Sequence, residues 1–264
     1  MNERALKMGC ARLTLAILLV IFFAPQLLAK PPLEESWEKT YSLGAQAEIS
    51  LRNTDGTVSI YGSEVKELKL YVRKRAYSRE RLQAIAIKVS VTEAKVTIET
   101  IMPPQPKGLS LRDRSGTVDY MLLVPQTATI AELGLTNGEI ILSGLRGPAV
   151  HARLTNGLIW ALDCFSALDL SARQGGLEIL FNWWEPGAVS LRATLDEGNL
   201  HLALPPEASV HLEATSRTGQ IFNQFGAKAG PGDEHHLQTT IGPAPGAEFK
   251  LQTDSGNIKI EKAY

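Results

Sequence analysis

The sequence predicts an all-β fold, a single-domain β-solenoid of the right-handed parallel β-helix kind, with coils of about 20 residues and less regular N-terminal strands. Three observations carry this expectation. A short polar turn ending in Gly recurs along the chain at near-constant spacing. Alternating apolar residues follow each such turn. Two copies of the unit, "LTNGEIILSG" and "LTNGLIWALD", stand nineteen residues apart, measured from Gly138 to Gly157.

The turn glycines are Gly56, Gly116, Gly138, Gly157, Gly175, Gly198, Gly219 and Gly256. From Gly116 onward the steps are 22, 19, 18, 23, 21 and 37. The last is about two periods and holds the loop "AKAGPGDEHH"; the step of 60 from Gly56 to Gly116 is about three. A polar residue (Asn, Asp, Ser, Thr, Glu or Gln) precedes each turn glycine. Such pairs supply the positive φ of a tight turn, because Gly has no Cβ and Asn and Asp tolerate that region. Hence Gly138 and Gly157 are expected at positive φ. After the turns, Val58/Ile60, Val118/Tyr120, Ile140/Leu142, Ile159/Ala161, Leu177/Ile179, Leu200/Leu202 and Ile258/Ile260 should face one way. Gly219 leads into Ile221 and Asn223, the weakest register. A β-sandwich of hairpins also explains an Asn-Gly turn. Constant period and a shared inward pattern favour stacking, in which each rung buries its neighbour's apolar face.

The elements before Gly116 are read in order. "LTLAILLVIFFA" behind Arg4, Lys7 and Arg12, followed by Leu27-x-Ala29, reads as a signal peptide over residues 1–29, cut before Lys30. An uncleaved N-terminal anchor is the alternative, and it would be the chain's only membrane contact. Residues 30–36 are a short extension, and 37–262 form the repeat domain. "AEISLRNTDGTVSIYG" and "VKELKLYVRKR" read as strands. "SRERLQAIAIKV" opens with a helical turn capped by Ser78. "VSVTEAKVTIET" gives two more strands, and "MPPQPKGLSLRDR" a Pro-rich crossing loop.

Composition narrows the function classes. Loss of residues 1–29 removes Arg4, Lys7, Arg12 and Glu3 and leaves a net charge of −3, so the chain is no polycation for nucleic acid. Cys164 is then the one cysteine, so no intramolecular disulfide forms. An exported chain without disulfides fits a bacterial envelope, as periplasmic, surface or secreted protein, better than a small eukaryotic secreted scaffold.

With these features in place, the sequence resembles the bacterial adhesin-like β-strand-repeat proteins. The resemblance rests on "LRNTDGTVSIYG", on "YMLLVPQTATIAELGLTNGEIILSGL", on the closing "LQTDSGNIKIEK", and on "LALPPEASVHLEATSRTGQI", which repeats the middle pattern. It spans residues 37–262. It implies an exported, mostly β, non-catalytic protein, and it supplies no catalytic residues, cofactor or metal.

Searching the residues for chemistry leads to the same place. The chain has no Gly-x-Ser-x-Gly, His-Glu-x-x-His or P-loop motif. His235 and His236, beside Asp233 and Glu234, are adjacent in sequence and point to opposite sides of a strand, a poor metal pair. Asp119 and Glu178, three rungs apart, are too distant for glycosidase carboxylates. Asp55, Asp196, Glu197 and Asp254 sit at corners. The basic run "RKRAYSRER" reads as a solvated turn, or as a contact for anionic lipid.

The outward position three after each Gly is more telling: Ser59, Asp119, Ile141, Trp160, Glu178, His201, Phe222 and Lys259. Ile141, Trp160, Glu178, His201 and Phe222 are the candidate partner surface, facing an envelope protein or a glycan, with Trp183 and Trp184 of "FNWWEP" nearby. The alternative is that this stripe packs beneath another segment. Three functions follow: an adhesin-like binding or scaffold module, a carbohydrate-active enzyme on a solenoid, or an envelope-stress accessory protein. No residue names a substrate.

Overall fold

In the long strands the side chains that alternate inward before the glycine and those that alternate inward after it have opposite parity. In β8 (Ala149–Leu162) Val150, Ala152 and Leu154 are buried ahead of Gly157, and Ile159 and Ala161 after it. The same switch occurs in β2 (Glu48–Ser63), β7 (Thr129–Ser143), β9 (Ala167–Leu180) and β10 (Ser190–Leu204). Each rung therefore bends at its glycine, and both halves bury apolar residues in one core. The computed structural model describes residues 31–105, 113–185, 187, 189–226, 234–243 and 246–263, so the leader reading, Cys10 and Asp233 lie outside the described residues. The described strands all fall in one unit, residues 32–264.

Among the described residues, fifteen strands join in one open, mixed sheet. Its centre is parallel: β2, β7, β8, β9 and β10 pair in that order, followed by β14 (Ala247–Ser255) and β15 (Ile258–Lys262) against the two halves of β10. Glycine stacks on glycine in register, Gly56 to Gly138, Gly157, Gly175 and Gly198.

These glycines have φ between 129° and 135°. Positive φ is as expected, but they are bends inside continuous strands, not tight turns. Close approach is the stricter reason for Gly. A Cβ at Gly157 would lie 1.8 Å from the carbonyl oxygen of Gly138, and one at Gly138 1.9 Å from that of Gly56. Beside them runs an amide ladder, in which Asn156 Nδ2 donates to Asn137 Oδ1 at 2.8 Å and Asn137 Nδ2 to Asp55 Oδ1 at 2.7 Å. The twin Leu-Thr-Asn-Gly units are two rungs of this corner.

The ends of the sheet differ from a purely parallel stack. β1 (Leu33–Ser42), β3 (Glu67–Ala76) and β6 (Thr117–Pro125) pair antiparallel. So do β4 (Ala86–Val91) with β5 (Lys95–Ile101), and β11 (Val210–Ser216) with β13 (His236–Ile241). β1 starts inside the stretch read as an extension. The helix α1 (Arg79–Ala84) forms as expected, with Ser78 Oγ accepting from the Arg81 backbone N–H.

Spatial order also departs from chain order. β14 and β15 lie between β10 and the strands β11 and β12 (Ile221–Asn223), so Gly256 stacks on Gly198, and Gly219 on Gly256. Gly116 is not part of the stack. β6 meets β2 with Val58 opposite Tyr120, two residues out of the phase that Gly116 predicted. All seven expected inward pairs are nonetheless buried.

Candidate functional site

Outward side chains on the two halves of each rung differ in kind. Ahead of the glycine they are polar: His151 and Arg153 on β8, Asp169 and Ser171 on β9, Arg192 and Thr194 on β10, Lys250 and Gln252 on β14. After the glycine the first outward row, with Thr57, Glu139 and Asn199, is still polar apart from Leu158, and the next two rows carry the apolar residues. Strand register lines up one continuous row, Met121–Ser59–Ile141–Trp160–Glu178–His201–Lys259–Phe222. The adjacent row reads Leu123–Tyr61–Ser143–Leu162–Leu180–Ala203–Glu261. Met121 is 49% exposed, Trp160 39%, Leu162 36% and Phe222 51%; Ile141, Tyr61, Leu123 and Leu180 are half-buried.

The five stripe residues expected from sequence, Ile141, Trp160, Glu178, His201 and Phe222, thus share one row, with Lys259 between His201 and Phe222. Asp119 does not belong to it. The two-residue phase difference of β6 puts Met121 there instead, and Asp119 one row back, accepting from the Thr57 backbone N–H at 3.1 Å. Counting from Gly116 could not reveal Met121, because only the pairing with β2 sets that phase.

Charged groups cluster at one end of the apolar rows. His201 Nδ1 lies 2.7 Å from Glu178 Oε2 and its Nε2 2.7 Å from Glu261 Oε1. Each ring nitrogen thus faces a carboxylate oxygen, and the ring is wedged between the two acids. Lys259 and then His201 hold Glu261 below the ordinary carboxylate range. The pair Glu178 and Glu261 was not foreseen; with an imidazole between them, they stand apart as the two acids of an inverting glycosidase must, which lie roughly 6.5–9.5 Å apart. The imidazole occupies the space a water or sugar would need, and the pair lies on a sheet face.

The basic run is largely consumed within the fold. Arg73 and Arg75 pair with Asp119 at 3.1 and 2.8 Å, and buried Lys74 with Glu35 at 2.9 Å. Arg81, also buried, donates to the Ser115 and Pro104 carbonyls. It is thus neither a solvated turn nor an open lipid contact, apart from exposed Arg79.

"FNWWEP" divides in two. Trp184 packs against Phe165, Phe181 and Phe249, whereas Trp183 is exposed and its Nε1 donates to Glu185. Cys164 is buried, which pushes its thiol up to about 11 and keeps it unreactive.

A second concavity, of about 750 Å³, lies on the outward side of β11, β13 and β14. His211, Glu213, Gln238, Thr240, Glu248 and Lys250 line it, with His211 Nδ1 3.1 Å from Thr240 Oγ1 and Lys250 3.6 Å from Glu213. No sequence signal marks it, because its lining comes from three strands brought together out of chain order. It offers hydrogen bonds but no aromatic platform.

Among the described residues no helix is long and apolar enough to cross a membrane. No family model and no curated protein matches the chain. Solved structures do. A candidate cell adhesion protein from Clostridium sporogenes matches with TM-score 0.54 and 15% identity, over 86% of this chain and all of that one. Candidate adhesins from Bacteroides fragilis and Parabacteroides distasonis match with TM-scores 0.28 and 0.26, at 10% and 9% identity, over 86% and 85% of this chain and 97% of theirs. The first of these establishes likeness of fold.

Proposed function

We propose that the chain is an exported, non-catalytic binding module of the bacterial envelope, of the adhesin type, coiled as a β-solenoid, and that it binds a protein through the apolar outward wall. One observation carries the reading: each central rung shows solvent two faces, and only the half after the glycine carries Met121, Ile141, Trp160, Leu162 and Leu180. Water is a poor partner for a cluster of exposed apolar side chains, and such patches mark interaction sites. The lining is mostly aliphatic, which suits a protein surface better than a sugar, for which stacked aromatics are the usual platform. The solenoid reading draws support from the glycine stack and the parity switch, and the adhesin type from the fold likeness to the Clostridium protein. Export rests on the N-terminal sequence.

A carbohydrate-active enzyme gains one observation, the spacing of Glu178 and Glu261, and loses it to the imidazole between them. Hydrolysis assays with and without Glu261→Gln separate the two; turnover abolished by that change would replace the binding reading. For the binding reading, Trp160→Ala should abolish capture of partner proteins from envelope extracts while the melting midpoint barely moves. Undiminished capture would overturn it. Mass spectrometry of the exported protein should find Lys30 at the N-terminus.

A further inference from the structure

We infer that the occupant of the apolar wall is a second copy of this chain, packed face to face across a twofold axis that runs parallel to the strands over the gap between β2 and β7. The inference rests on the reading of that wall as a binding surface. Strand order along the wall is β1, β3, β6, β2, β7, β8, β9, β10, four strands on each side of the gap. The axis lays β2 over β7, β6 over β8, β3 over β9 and β1 over β10 of the other copy.

On the strands nearest the axis the side chains then meet in complementary pairs. Ser59 stands opposite Ile141 and Tyr61 opposite Ser143, small against large, the arrangement that lets facing layers interdigitate. Met121 stands opposite Trp160 and Leu123 opposite Leu162, apolar on apolar. At the rim, Tyr71, which pairs with Met121 in register, brings its hydroxyl to Glu178. Glu38, which pairs with Tyr71, comes opposite His201, beside the ammonium of Lys259.

Charge selects this axis over the other face-to-face choice. An axis running along the row would set each strand over itself, with Glu178 on Glu178 and Lys259 on Lys259, and like charges in apposition disfavour an interface. Size suits a weak, reversible dimer. Eight strands at about 4.8 Å and the two rows at about 6.6 Å span roughly 38 by 13 Å, about 500 Å², below the roughly 800 Å² that each partner contributes to a standard interface.

Sedimentation equilibrium of the purified protein over a range of concentrations is the first test, and it should give a reversible dimer. Trp160→Asp should weaken the dimer at least a hundredfold with an unchanged circular dichroism spectrum and melting curve. Glu38→Lys should weaken it about tenfold, and adding Lys259→Glu should restore it, because that swap exchanges the charges across the proposed axis. A dimer that survives Trp160→Asp, or a charge swap without rescue, would overturn the inference. So would a wild-type protein that is monomeric throughout; if its envelope-extract capture is lost in Trp160→Ala, the binding reading still stands with a foreign partner, and if capture is unaffected both fall.

Discussion

The two outward walls of the central rungs have the same backbone, the same register and the same core behind them, yet opposite chemistry. Ahead of the glycine, β8, β9 and β10 show His151, Arg153, Asp169, Ser171, Arg192 and Thr194 to solvent; after it, β7 to β9 show Ile141, Leu158, Trp160, Leu162 and Leu180 among Glu139, Ser143 and Glu178. Folding demands only that inward positions be apolar, and both walls satisfy this. The outward positions are left over from folding, so their composition reports what each wall touches. The polar wall meets water. The apolar wall is the one proposed to meet a partner, and Glu178, His201 and Glu261 give it a charged rim at one edge.

Because both walls hinge on the same corner, the largest effect should come from the glycines. Gly157→Val would drive its Cβ into the Gly138 carbonyl, and we expect a loss of at least about 3 kcal/mol, with both walls disrupted together. A chemical-denaturation midpoint close to wild type would show that the corner does not couple the walls.

Next come inward and outward leucines on one strand. Leu177, fully buried, should cost about 3 kcal/mol as Leu177→Ala, whereas Leu180→Ala on the outer side of the same strand should cost under about 1 kcal/mol. Equal costs, read from urea unfolding, would mean that the apolar wall is already covered within the chain.

A third test lies behind the wall. Tyr120 is buried, with its hydroxyl 2.7 Å from Thr100 Oγ1, and burial pushes its phenol up to about 12. The folded state therefore keeps this proton where the unfolded chain has lost it, so stability should fall by roughly 2–3 kcal/mol between pH 10 and about 12. Tyr120→Phe should flatten that part of the alkaline limb. An equally steep decline in the Phe variant would assign it to other groups.

The smallest stability effects should separate the walls most cleanly. Trp160→Ala on the apolar wall and Thr194→Ala on the polar wall should each move the unfolding free energy by no more than about 1 kcal/mol. Only the first should change association. An equal association phenotype for both, or for neither, would remove the distinction between the walls.

Much of the rung was legible in the chain. The glycine repeat, the inward pairs and the Ser78 cap are local patterns, and alternation has one reading once a face is buried. The candidate row was legible in part: Ile141, Trp160, Glu178, His201 and Phe222 follow from counting within regular rungs. Met121 in place of Asp119, and Glu261 beside His201, were not legible. The first depends on the phase of β6 against β2, and the second on β15 lying next to β10, sixty residues away in sequence from His201. The basic run was misread for a related reason, since Asp119 and Glu35, the acids that neutralise most of it, belong to neighbouring strands.

By itself, then, the sequence determined what is periodic: an all-β chain, rungs of nearly constant length, a glycine at each bend, and the residues that go inside. These are short-range consequences of side-chain alternation and of backbone freedom at Gly. The tertiary structure alone decided which rung lies beside which, that Gly256 stands between Gly198 and Gly219, and that the sheet ends in antiparallel strands. Backbone hydrogen bonds join any strand to any other of fitting length, so pairing carries no local signature. It is settled by how connections and side chains fit across strands far apart in the chain, and the exposed wall takes its shape from that fit.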